Sequence, residues 1–124
     1  MKIALTDREA DLMDLLWEHG PSTVAEVRDR LGDDLAYTTV LTILRTLESK
    51  GYIQHDPEGR AHRYYAVIER DVARQSALNA LSKKLFKGST ELLLTHLVSD
   101  RKLSNAQLAR IKELLEQRTK KERT

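Results

Sequence analysis

Apolar residues recur every three or four positions through the first fifty residues, which is the spacing of amphipathic α-helices. Three helices are predicted: one over Asp7–His19, a two-turn helix that ends at Gly32, and one within residues 36–51. Their apolar positions are, in turn, Ala10, Met13, Leu16 and Trp17; Val24, Val27 and Leu31; and Val40, Ile43, Leu44 and Leu47. Capping-box sequences, in which Ser or Thr is followed three residues later by Glu, precede the first two helices and support these starts.

After Gly51 the apolar period changes to two, which predicts two strands. They are expected at residues 52–55 and 63–67, and Asp56-Pro57-Glu58-Gly59 between them has the residue preferences of a type I turn. Three helices followed by a hairpin is the order of a winged helix-turn-helix, whose second motif helix enters the DNA major groove. The fold class is therefore mainly α with a small antiparallel β wing, and residues 1–68 are predicted to form the DNA-binding domain.

Three more helices are predicted over residues 69–124. A long helix ends near Lys87-Gly88, a short helix at about residues 90–99 is apolar nearly all round and must be buried, and an amphipathic helix follows the capping box of Ser104 and Gln107. So small a core is more easily completed by a second copy than by folding alone, which predicts a homodimerisation domain. The predicted contacts are Leu81, Leu85, Leu92, Leu93, Leu97, Leu108, Ile111 and Leu115.

The polar face of the third helix has an unusual composition. It carries four threonines and one arginine where a solvated face would carry Glu and Lys, and four threonines cost on the order of 2 kcal/mol of helix propensity relative to Ala. Short hydroxyls and a guanidinium suit phosphates and base edges in a major groove. The predicted DNA contacts are Tyr37, Thr38, Thr39, Thr42 and Arg45 on this helix, and Arg60 and Arg63 in the wing. An ordinary amphipathic helix and a solvated hairpin tip are the alternatives.

Charge is distributed unevenly along the chain. Residues 1–68 carry 8 Lys and Arg against 12 Asp and Glu, a net charge of −4, whereas residues 69–124 carry a net charge of +6. An acidic first half argues against nucleic acid when taken alone. However, five of its acidic residues lie on the first predicted helix, whereas the basic residues Arg45, Lys50, Arg60 and Arg63 lie on the third helix and the hairpin.

Other classes of site are not indicated. No nucleophile–base pair, phosphate-binding glycine loop or cofactor motif is present, so we expect neither an enzyme nor a cofactor. His55 and His62 could face each other across the hairpin, but two histidines alone are weak evidence for a metal, and none is predicted. The absence of cysteine, of a signal-peptide pattern and of any long apolar run predicts a cytoplasmic protein.

The chain resembles the penicillinase repressor family, also called the BlaI/MecI/CopY family. The resemblance covers nearly the whole chain and depends on Leu5-Thr6, Trp17, Ala36-Tyr37-Thr38-Thr39-Val40, Leu47, Lys50-Gly51, Arg60, Tyr64, Gly88-Ser89 and Leu103-Ser104. It implies a homodimeric winged-helix repressor that binds a palindromic double-stranded DNA operator, with the C-terminal helices interlocked in the dimer.

Two departures from the family pattern limit what the resemblance implies. Copper-responsive members use C-terminal cysteines, which this chain lacks. In antibiotic-resistance members a membrane metallopeptidase sensor cuts the repressor between Asn and Phe, and the corresponding residues here are His96 and Leu97. The candidate cleavage region and the sensor as a partner are therefore left open. A winged-helix module for protein docking and a ligand-responsive regulator are the alternative functions.

Overall fold

The computed structural model describes residues 2–32, 34–99 and 102–122. Six helices and three strands follow one another in these parts of the chain: α1 Asp7–His19, β1 Ser22–Thr23, α2 Val24–Leu31, α3 Tyr37–Ser49, β2 Ile53–Glu58, β3 Ala61–Ala66, α4 Arg70–Leu85, α5 Thr90–Ser99 and α6 Asn105–Glu122. The predicted helices are all present, and the mainly helical fold class with a small antiparallel wing is confirmed. By contacts, the chain divides into two compact units between Ala80 and Leu81.

The sheet contains one strand that the sequence did not predict. Its order is β1-β3-β2, and both pairings are antiparallel. Ser22 of β1 lies opposite Tyr64, and its side chain is fully buried. A two-residue strand has too little alternation to be recognised from sequence. Its consequence is that the hairpin is tied to the start of α2, because Thr23 is both a strand residue and the N-cap of that helix.

The predicted turn at residues 56–59 was wrong. Asp56, Pro57 and Glu58 continue β2, and Glu58 pairs with Ala61, so the turn is the two residues Gly59 and Arg60. Gly59 has φ 61° at the first central position, which a type II′ turn reserves for glycine. Pro57 is tolerated because β2 is an edge strand. The type I preferences were therefore overridden by the right-handed twist of the hairpin, which favours primed turns.

The core of the first unit lies between the three helices and the sheet. Leu12, Met13, Val27, Val40, Leu44, Leu47 and Ile53 have no exposed surface, and Tyr64 is 1% exposed. The predicted apolar faces are confirmed, except that Leu12 is a core residue that the helical spacing did not single out.

The start of α4 packs on this first unit. Ala73 is buried, and the Ser76 hydroxyl oxygen accepts a hydrogen bond from the backbone N–H of Ile3 at 2.8 Å. Upstream of α4, Trp17 Nε1 donates to the carbonyl oxygen of Ile68 at 2.9 Å. The DNA-binding fold thus includes residues beyond 68 as structural supports, while the functional division at 68/69 remains a prediction.

In the second unit, the described residues of α5 and α6 include none that is buried within the single chain. Leu92, Leu97, Leu114 and Leu115 are 43%, 53%, 65% and 50% exposed, respectively. The expectation that α5 must be buried is therefore not met by one chain alone. In the described part of the chain, no helix combines the length and the apolar character needed to cross a membrane.

Candidate nucleic-acid interface

Helix α3 separates its two faces as predicted. Val40, Leu44 and Leu47 are fully buried, whereas every residue that we predicted to meet DNA on this helix is exposed: Tyr37, Thr38, Thr39, Thr42 and Arg45. Thr46 and Ser49 continue the exposed surface toward the C-terminus. In the described residues no carboxylate forms an ion pair with Arg45, so its guanidinium is available to a ligand.

The N-terminus of α3 differs from those of α1 and α2. Complete capping boxes close α1 at Thr6 and Glu9 and α2 at Thr23 and Glu26. The N-cap of α3 is Ala36, which has no side-chain acceptor, and the first turn of the helix carries no acidic residue. Its leading N–H groups and the positive end of its dipole are therefore not neutralised by its own side chains. Such a terminus favours an approaching phosphate.

The threonines of α3 are not equivalent as hydrogen-bond donors. Thr42 Oγ1 donates to the Thr38 carbonyl oxygen at 2.9 Å, and Thr46 Oγ1 donates to the Thr42 carbonyl oxygen at 3.0 Å. Within the described residues, the hydroxyls of Thr38 and Thr39 make no such bond. Thr38 and Thr39 can therefore both donate and accept, whereas Thr42 presents its methyl group and acceptor lone pairs.

The wing places Arg60 and Arg63 in different surroundings. Arg60 occupies the second turn position, is exposed, and has no carboxylate partner among the described residues. Arg63 lies on the central strand with its side chain 33% exposed, and it contacts Glu26 and Glu58. The hydrogen bond from Arg63 to Glu58, together with the two carboxylate charges, raises the pKa of Arg63 against the effect of burial. The backbone and side-chain hydrogen bonds of Thr23, more than the neighbouring arginines, lower the pKa of Glu26.

His55 and His62 lie on one face of the hairpin, as predicted. Their rings stack with centroids 4.3 Å apart, and His55 Nδ1 lies 2.5 Å from Glu48 Oε2 at the end of α3. No group of three or more potential metal ligands occurs in the described part of the chain. The contact joins the wing to the C-terminal turn of α3, and sequence reasoning missed it because the partners belong to different elements.

A second contact that the sequence did not predict fixes the same end of α3. Lys50 Nζ, just after the helix, lies 2.8 Å from Oε1 of Glu9, whose side chain is only 6% exposed. Burial alone would raise the pKa of Glu9, but the hydrogen bonds from Lys50 and Thr6 and the Lys50 charge outweigh it and lower that pKa. Helix α3 is therefore held to α1 at its C-terminal end.

The second helix of a helix-turn-helix, exposed along a face of short hydroxyls and one arginine and followed by a hairpin wing, defines a winged-helix DNA-binding protein. The family profile described as "Penicillinase repressor" matches residues 5–117. Transcriptional regulator BlaI of Mycobacterium tuberculosis is 39% identical over 98 residues, which cover 76% of this chain and 71% of that protein. The penicillinase repressor of Bacillus licheniformis is 22% identical over 115 residues, covering 91% and 90% of the two chains. The chain belongs to the penicillinase repressor family of transcriptional repressors.

Solved structures agree with this fold. The solution structure of the DNA-binding domain of the repressor BlaI has a TM-score of 0.51 at 30% identity, covering 56% of this chain and 90% of that domain. A MarR family protein from Bacillus stearothermophilus has a TM-score of 0.53 and covers 98% of this chain and 78% of its own, but at 14% identity it is similar in fold alone.

Proposed function

We propose that this chain is a sequence-specific, DNA-binding transcriptional repressor that acts as a homodimer on a palindromic operator. The observation that carries the proposal is the exposed face of α3, where Tyr37, Thr38, Thr39, Thr42 and Arg45 stand on a helix fixed from behind by three fully buried residues. This face lowers the helix propensity of α3, and its side chains are exposed. Contact with base edges and phosphates would explain the composition of this face.

The charge of the first unit is compatible with this role once its pairing is considered. Glu9 is buried against Lys50, Asp11 pairs with Arg8 at 3.9 Å, and Asp14 lies 3.9 Å from Arg70. These acidic residues belong to α1, whereas Arg45 and Arg60 stand exposed on α3 and in the wing. The net charge of residues 1–68 therefore does not describe the surface that would meet DNA.

Exposed leucines support the homodimer. Leu81, Leu85, Leu92, Leu97 and Leu115 are 40–67% exposed in the single chain, Leu108 is 37% exposed, and Leu93 and Ile111 are half-buried. Apolar surface this extensive on a small helical unit indicates an interface. A second copy is the natural partner, because a two-fold symmetric pair would present two α3 helices to a symmetric operator. A protein with this role works where the chromosome is, so we place it in the cytoplasm and assign it no catalytic activity.

The salt dependence of binding tests the proposal against a protein-docking role. A duplex enriched by the protein from a randomised library should be bound with an affinity that falls steeply with salt, by a log–log slope of about −0.9 for each phosphate neutralised. If the protein bound no DNA, or if its affinity for DNA did not change with salt, the repressor function would be contradicted. Protein docking through the apolar helices would then be favoured.

Relief of repression by proteolysis within α5 is a further part of the proposal. His96 and Leu97 are exposed in the single chain, and the His96 ring meets Phe86 edge-on at 5.4 Å. A membrane metallopeptidase would be the sensor. Mass spectrometry of the protein recovered from cells in which the operator is derepressed tests this proposal. A fragment ending at His96 is expected. Recovery of the intact chain alone from such cells would contradict proteolytic relief.

A further inference from the structure

Arg63 is held by three separate segments of the chain. Its Nη1 donates to the Pro21 carbonyl oxygen at 3.0 Å and lies 3.0 Å from Glu26 Oε1. Its Nε and Nη2 donate to Glu58 Oε2 at 3.0 and 2.8 Å. Three of the five N–H groups of the guanidinium therefore donate hydrogen bonds within the chain, and the Glu26 carboxylate forms an ion pair with Nη1. A guanidinium engaged by two carboxylates and a carbonyl group is poorly suited to capture a phosphate.

The three segments are the residue before β1, the first turn of α2 and the end of β2, whereas Arg63 itself lies in the middle of β3. Arg63 lies opposite Thr23 in the β1–β3 pairing and opposite Asp56 in the β2–β3 pairing, so Glu58 is its diagonal neighbour across the hairpin. Glu26 is the N3 residue of the capping box of α2. A single side chain therefore fastens the wing to the first helix of the helix-turn-helix motif.

The local charge also opposes a direct contact with DNA. A phosphate that approached Arg63 would come close to the carboxylates of Glu26 and Glu58, and Glu26 is additionally paired with Arg30 at 3.7 Å. These two acids and two arginines balance, so the cluster presents no net positive charge. Arg60, by contrast, forms no ion pair in the described chain and lies at the exposed tip.

We propose that Arg63 is a positioning residue rather than a DNA contact: through Pro21, Glu26 and Glu58 it sets the orientation of the wing, and Arg60 makes the phosphate contact. The proposal rests on the proposed DNA-binding function, and it replaces the earlier expectation that both arginines reach phosphate. A loosened wing must be re-ordered when DNA binds, which weakens binding by about two- to tenfold without removing a phosphate contact.

The test compares Arg63→Gln, Arg63→Lys, Glu26→Gln and Arg60→Gln in the full-length protein, with the duplex that the wild type enriches from a randomised library. A positioning role predicts that Arg63→Gln and Arg63→Lys both weaken binding two- to tenfold at an unchanged salt slope. Lysine fails to rescue because a single ammonium group cannot reach all three partners. Arg60→Gln should reduce the slope by about 0.9 per subunit.

The direction of the change in DNA affinity in Glu26→Gln distinguishes most clearly between positioning and simple electrostatics. Glutamine preserves the capping box, and losing a negative charge should strengthen DNA binding if electrostatics alone mattered. Positioning predicts the opposite, a two- to tenfold weakening. Tighter binding by Glu26→Gln, or a smaller salt slope in Arg63→Gln with near-normal binding by Arg63→Lys, would overturn the proposal.

Amide hydrogen exchange in the free protein separates this proposal from the proposed function. Arg63→Gln should speed exchange across β1 and the hairpin, by the same two- to tenfold, while exchange in α1 stays unchanged. Unchanged exchange in the hairpin would overturn the positioning role. If the wild type enriched no duplex, the DNA-binding function would fail, and the exchange result alone would still decide what Arg63 does.

Discussion

Leu44 and Arg45 are neighbours on α3 with opposite roles, so replacing each with Ala separates the fold from the interface. Leu44 is fully buried in the core cluster, and Arg45 is exposed on the opposite face. We expect Leu44→Ala to destabilise the protein with little specific effect on DNA contacts. We expect Arg45→Ala to weaken operator binding with little effect on stability.

The magnitudes follow from these positions. Truncation of a fully buried leucine costs about 2–5 kcal/mol, which lowers the Tm of a domain of this size by about 8 °C or more. Exposed Arg45→Ala should change stability by less than about 0.5 kcal/mol. A guanidinium that forks onto a base edge contributes about 1–3 kcal/mol of discrimination, and a homodimer loses it twice, so affinity should fall between about 30-fold and 10⁴-fold.

Calorimetry gives the stability of each variant, and titration of a labelled operator duplex at fixed salt gives its affinity. Arg74→Ala, which removes an exposed positive charge from α4, serves as the charge-matched control and should change affinity less than about twofold. A Tm loss in Arg45→Ala as large as that in Leu44→Ala would make Arg45 a structural residue. An affinity unchanged relative to Arg74→Ala would refute its role in reading DNA.

Three further predictions concern stability and assembly. Because the pKa of Glu9 is lowered in the folded protein, its stabilising contact is complete above the ordinary carboxyl pKa of 4.5 and is lost as pH falls through the lower folded pKa. The free energy of unfolding of the wild type should therefore fall more steeply in acid than that of Glu9→Gln. Leu97→Glu should convert a dimer to a monomer by light scattering while the unfolding of the first unit is unchanged; a persistent dimer would place the interface elsewhere. Gly59→Ala should cost about 1–2 kcal/mol in chemical denaturation, since its φ of 61° strains any residue with a Cβ atom, and an unaffected midpoint would count against the type II′ turn.

Local sequence signals predicted most of the fold. The capping boxes at Thr6 and Thr23 gave the starts of α1 and α2, and the spacing of Val40, Leu44 and Leu47 gave the buried face of α3. These features depend on residues three or four positions apart, which a sequence displays directly. The type I preferences of residues 56–59 misled because hairpin twist, a property of two strands together, decided the turn.

Contacts between distant residues could not be predicted in the same way. Glu9 meets Lys50 across 41 positions, and Arg63 reaches Pro21 across 42. Nothing in the local sequence distinguishes an arginine that will bind phosphate from one that will bind two carboxylates. The exposed face of α3 was predicted correctly because helical periodicity alone determines it, whereas the role of Arg63 depends on tertiary structure.

The most direct test of the repressor account is a hydroxyl-radical footprint of the wild-type protein on the duplex that it enriches. Two α3 helices delivered by a symmetric pair should protect two half-sites on one face of the DNA, with their centres about 10 base pairs, or a multiple of that, apart. Protection of a single half-site by one chain, or the absence of protection where the protein is fully folded and dimeric, would contradict the account.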